Sequence, residues 1–170
     1  MKRRLLVTVS AILLLSTFFA ASVTSATAKG PKILKFDAMV GVPAGLTGSQ
    51  SQGPLRGING GGIPWTIASG SGELRAGGHL EITVEGLVLA AGANAGSNPS
   101  ATFRGLVSCV GGDGSFQNTL TDPFPATTGP ASTGGGNATI EADLSLPQPC
   151  IAPIVFVTSA GGSWFAATGF

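Results

Sequence analysis

The sequence predicts an all-β fold: a single-domain antiparallel β-sandwich or jelly-roll-like barrel of about nine or ten short strands with one disulfide. Three observations predict it. The 170 residues include 27 Gly and 11 Pro, the residues that punctuate turns. Residues 79–85 and 138–146 alternate apolar and polar side chains with period two, as a half-buried strand does. No stretch sustains the i, i+3, i+4 apolar spacing of a helix, so helices should be short or absent. The apolar fraction of 43% is too high for a mainly disordered chain.

Residues 1–28 read as a secretory signal peptide, leaving 29–170 as one exported domain. Lys2, Arg3 and Arg4 form a basic start, residues 5–21 are apolar, and Ala26 and Ala28 place small side chains at −3 and −1 of a cleavage site after Ala28. The apolar run is short for an uncleaved membrane span. No second hydrophobic span, lipidation cysteine or C-terminal anchor follows it, so the expected product is secreted or envelope-associated, without stable membrane insertion. In the exported part Lys29, Lys32, Lys35, Arg56, Arg75 and Arg104 face eight carboxylates, a net charge of −2. That balance gives no electrostatic reason to bind nucleic acid or an anionic membrane.

Residues 33–40 form the first expected strand. A long Gly/Pro/Ser-rich loop is expected over 41–62, with a short extended piece at 55–58. Residues 64–69 and 72–76 read as short strands, and Gly77-Gly78 as a hairpin turn. In the strand 79–85, Leu80, Ile82 and Val84 should face inward and His79, Glu81, Thr83 and Glu85 outward. Gly86 marks a bulge or bend before 87–89. Strands follow at 102–110 and 115–120, then a turn-rich stretch over 122–136. In 138–146, Ile140, Ala142, Leu144 and Leu146 take one face and Glu141, Asp143 and Ser145 the other. A final hairpin joins 153–158, nearly all apolar and hence central, to 164–168.

Cys109 and Cys150 are the only cysteines and both lie in the exported part, where an even pair is expected to form a disulfide. The terminal segment Cys150-Ile-Ala-Pro-Ile-Val-Phe-Val-Thr-Ser-Ala-Gly-Gly-Ser-Trp-Phe-Ala-Ala-Thr-Gly-Phe170 resembles the ending of small secreted bacterial proteins of unassigned function. The resemblance implies a bacterial source and an exported β domain. It implies no activity and no functional residue.

Outward carboxylates are the first candidate chemistry. Glu81 and Glu85 share one strand face, Glu141 and Asp143 another. Paired in the right register they would form a Ca²⁺ site, or supply two carboxylates for glycoside hydrolysis; the bland alternative is the solvated face of an antiparallel sheet. His79, the sole imidazole, follows Gly77-Gly78 and is expected as an exposed hairpin residue. No GxSxG elbow offers it a nucleophile. Gly111-Gly112-Asp113-Gly114-Ser115 reads as a tight turn, and Asn59-Gly60-Gly61-Gly62 lacks the Lys and helix of a phosphate loop. Asn137-Ala138-Thr139 fits a glycosylation acceptor that a bacterial context would leave unused. Phe170 ends the chain in the manner of outer-membrane barrels, but with no Tyr for the interfacial girdles. Trp65 and Trp164 lie beside Gly/Pro-rich turns, where an exposed indole would stack on sugar rings; otherwise each fills the core.

These features predict a non-enzymatic exported binding module for a polysaccharide or other extracellular ligand, with no cofactor called for. Two alternatives stand beside it: a structural or protective cell-envelope protein acting through protein association, and a small carboxylate-dependent glycoside hydrolase.

Overall fold

A computed structural model describes residues 30–48 and 54–168. The expected signal peptide and cleavage site, and Phe170, lie outside the described residues. The strands in chain order are β1 (Lys32–Phe36), β2 (Met39–Gly41), β3 (Trp65–Thr66), β4 (Ser69–Arg75), β5 (His79–Glu85), β6 (Val88–Leu89) and β7 (Ser97–Asn98). They continue as β8 (Thr102–Val110), β9 (Phe116–Leu120), β10 (Phe124–Pro125), β11 (Gly129–Pro130), β12 (Ala138–Asp143), β13 (Ile151–Thr158) and β14 (Trp164–Thr168). Nine of these have three residues or more; the five two-residue strands are short ladders between turns. The helical content among the described residues is two 3₁₀ turns, Ala44–Leu46 and Ala131–Thr133.

Two antiparallel sheets form a sandwich. The first has the order β1-β4-β5-β12; the second has the order β10-β8-β13-β14-β2, with β9 also paired to β8. Alternation in β5 works as the sequence predicts for its apolar half: Leu80, Ile82 and Val84 are buried and meet Phe103, Val107, Val155 and Val157 of the second sheet in one core. Gly105 faces Leu80 and Ile82 of the first sheet. A Cβ there would lie 3.0 Å from Leu80 and 3.2 Å from Ile82, so a side chain would push the layers apart. The apolar β13 is central, flanked by β8 and β14, and its residues from Val155 to Thr158 are buried on both faces.

The Gly/Pro-rich passage after β2 is less open than its composition suggests. Val42 N–H donates to Phe165 O and Trp65 N–H to Val42 O, at 2.8 and 3.0 Å. The expected extended piece at 55–58 is instead a tight turn: Leu55 and Ile58 exchange backbone hydrogen bonds around Arg56 and Gly57, at φ 51° and 80°. Positive φ at both central residues matches the right-handed twist of a two-residue hairpin. Arg56 then straddles β8, donating from Nη2 to Ala152 O at 2.8 Å and accepting at its carbonyl from Asn118 Nδ2 at 3.2 Å. This turn covers the outer face of the second sheet, where Leu106 and Ser108 are buried.

Two other boundaries shift. The span 64–69 divides into β3 and the start of β4, because Trp65 pairs with Leu89 while Ser69 pairs with Glu85. The strand expected over 138–146 stops at Asp143, where Leu144 N–H turns to donate to Gly78 O at 2.9 Å. Gly78 has φ 92°, and a Cβ on it would fall 1.8 Å from Leu144 O. Gly78→Ala is therefore expected to cost about 1–3 kcal/mol of stability from backbone strain, with an added cost for displacing the Asp143–Leu144 segment. Thermal unfolding of the variant checks this; a melting temperature equal to wild type would contradict it.

Cys109 and Cys150 form the disulfide, linking the end of β8 to the residue before β13.

Candidate metal centre

Both tryptophans belong to the core rather than to a binding platform. Trp65 is 6% exposed, stacked on Phe165 with ring centroids 3.9 Å apart and set edge-on to Phe103. Trp164 is 2% exposed and packs edge-on to Phe156. Neither indole offers a face to a sugar. The physical reason is the shortage of large side chains: with no Tyr and few aromatics, the two indoles and their phenylalanine partners supply much of the core volume.

The carboxylates sort differently. Register places Glu81 between Glu73 on β4 and Glu141 on β12, and sets Asp143 opposite His79. These side chains share the outward face of the first sheet. Glu81, Glu141 and Asp143 therefore converge, while Glu85 does not. Ala138 pairs with Val84, so Glu85 lies beyond the end of β12, where it accepts a hydrogen bond from Ser69 Oγ at 3.0 Å.

The focus of the group is His79. Rather than projecting into solvent from its hairpin, its side chain is only 3% exposed. Nδ1 lies 2.8 Å from Asp143 Oδ1, Nε2 lies 2.7 Å from Glu81 Oε1, and Glu141 Oε1 is 3.8 Å from Nε2. An ionised carboxylate only accepts, so both short contacts are hydrogen bonds at once only when the ring carries protons on both nitrogens. The imidazolium form thus ties β5 to β12 and offsets the repulsion of Glu81 and Glu141, like charges directly opposite across the ladder. One sequence signal could have found this: period-two alternation puts His79 on the face of Glu81. What hid its burial was the register, which alone decides that Asp143 stands beside it.

The neighbouring carboxylate is held apart by its own cations. Glu73 pairs with Lys32 and, at 2.7 Å, with Arg75. The hydrogen bond from Lys32, aided by Arg75, holds the Glu73 carboxyl below the usual carboxylate range. Asp113 is lowered too, by the Ser115 backbone N–H and hydroxyl, which makes Gly111-Gly112-Asp113-Gly114-Ser115 the tight turn expected. Asn137 spends its side-chain oxygen on Gly86 N–H at 2.9 Å, closing the bend after β5.

As a donor set, His79 Nε2, Glu81 and Glu141 offer one nitrogen and two carboxylate oxygens within 4.8 Å of one another. Asp143, on the other ring nitrogen, stands where an outer carboxylate would fix tautomer and ring orientation if Nε2 held a metal. Glu141 and Asp143 also line a groove of about 380 Å³ with Leu120, Asp122, Phe124 and Leu144, between the β12 edge and the β9–β10 connection. Among the described residues no helix is long and apolar enough to cross a membrane. In comparisons with known proteins the chain matches no family model, no curated protein and no solved structure.

Proposed function

We propose that the chain is an exported, non-enzymatic β-sandwich binding module whose binding centre is His79, Glu81 and Glu141, steadied by Asp143, and whose ligand is a divalent cation. The observation that carries this reading is the buried imidazole of His79, with Nδ1 fixed by a carboxylate at 2.8 Å and Nε2 turned toward two more carboxylates. A nitrogen in the set favours Zn²⁺ or a similar borderline ion over Ca²⁺, which takes oxygen ligands only. For Nε2 to ligate the ion it must give up the proton it shares with Glu81, and the ion then takes that proton's place while Nδ1 keeps its hydrogen bond to Asp143. Recognition of polysaccharide by stacking on Trp65 or Trp164 loses its basis with both indoles in the core.

Calorimetric titration of the purified protein with Zn²⁺, and separately with Ca²⁺, tests the reading. Zn²⁺ is expected to bind one per chain and more tightly than Ca²⁺. His79→Gln should abolish binding, and Asp143→Asn should weaken it by about 10–100-fold. Glu85→Gln, on the same strand but outside the group, should leave it unchanged. Binding that survives His79→Gln, or no binding of either ion, would overturn the proposal.

A further inference from the structure

Sheet edges invite pairing with other chains unless something guards them. The first sheet ends in β1 and β12, which carry Lys32 and Lys35, and Glu141 and Asp143. The second sheet ends on one side in β2, three residues long. Its other side is shared along β8 by the two-residue β10, which carries Pro125, and by β9, and β9 is different. Phe116-Gln117-Asn118-Thr119-Leu120 holds no charge and no proline, and each residue is exposed or partly exposed. Among the described residues β9 pairs with β8 alone. Phe116 is 55% exposed, even with the Arg56 guanidinium 5.2 Å from its ring centre.

We propose that β9 is a self-association edge that pairs antiparallel with β9 of a second copy of this chain. The segment is complementary to itself. An antiparallel pair centred on Asn118 sets Phe116 opposite Leu120 of the partner copy, twice, and Gln117 opposite Thr119, twice, with the two Asn118 residues facing across the axis. On the face that Phe116, Asn118 and Leu120 share, apolar meets apolar on either side of the central Asn118 pair; on the other face Gln117 meets Thr119, and each off-axis pair is repeated by the two-fold, as an isologous contact requires. An unrelated partner would have to supply this alternation; a second copy does so by symmetry. The inference is independent of the cation reading, because β9 bears none of the centre's residues.

Sedimentation of the purified protein from about 1 μM to about 1 mM is the test. The expected result is a concentration-dependent dimer. Two double variants sharpen it: Gln117→Glu with Thr119→Glu, and Gln117→Lys with Thr119→Lys. Each alone sets like charges opposite one another and should be monomeric, whereas their mixture sets Glu opposite Lys and should restore a dimer. That rescue also shows that both variants are folded. A wild-type monomer at every concentration overturns the proposal. So does a dimer that persists in both charged variants, and so does a mixture that fails to pair.

Discussion

Trp65→Ala is expected to lower the free energy of unfolding by about 3–5 kcal/mol, the usual cost of removing a fully packed aromatic from a core. The indole lies between two layers of the structure. It stacks on Phe165 of β14, meets Phe103 of β8 edge-on, and its backbone N–H is bonded to Val42 O. Its removal leaves a cavity lined by rings that cannot collapse, since both are anchored in central strands. Trp164→Ala should cost a comparable amount through Phe156. Urea unfolding of each variant reads the change. The native protein, with both indoles buried, should show blue-shifted emission that acrylamide quenches poorly. Red-shifted, readily quenched emission would place an indole at the surface and contradict this packing.

Loss of the disulfide is expected to have an effect of similar size. Cys109 and Cys150 close a loop spanning 41 residues, and the chain-entropy account assigns about 4 kcal/mol to such a loop. The loop contains β9 to β12, so its closure restrains both the β12 residues beside His79 and the β9 edge in the unfolded ensemble. The double variant Cys109→Ala with Cys150→Ala should unfold at a correspondingly lower denaturant concentration while keeping its far-ultraviolet signature of strands. An unfolding midpoint equal to wild type would show that the bridge contributes nothing to stability.

The sequence conveys its fold where side-chain pattern acts locally. Alternation in His79–Glu85 and from Ala138 onward identifies strands and their inward faces, and the apolar run of β13 identifies a central strand, because these signals depend only on which side of a pleat a residue occupies. Register is a different matter. Nothing in the alternation of β5 or β12 says that Glu141 stands opposite Glu81 rather than Glu85, a shift of four residues that would leave every face unchanged while dispersing the centre. His79 illustrates the consequence: its face was legible, its pairing with Asp143 was not, because register alone sets the two opposite each other. The passage from Gly41 to Gly62 was illegible for a related reason. Among its described residues, several hydrogen bonds reach Phe165, Trp164 and Ala152, more than 90 residues away in sequence, and a Gly-rich composition carries no trace of them. The tryptophans show the limit of local reading most plainly. Adjacent turns suggest access, but core volume decided their place.

The central claim is that His79 Nε2 faces a cation centre while Nδ1 is held by Asp143. His79 is the only histidine of the chain, so a nitrogen-15 spectrum of the imidazole region reports on it alone. Addition of Zn²⁺ should move the Nε2 resonance to the range of a metal-bound nitrogen and leave Nδ1 protonated. Both resonances unchanged at saturating Zn²⁺, or a shift confined to Nδ1, would contradict the account.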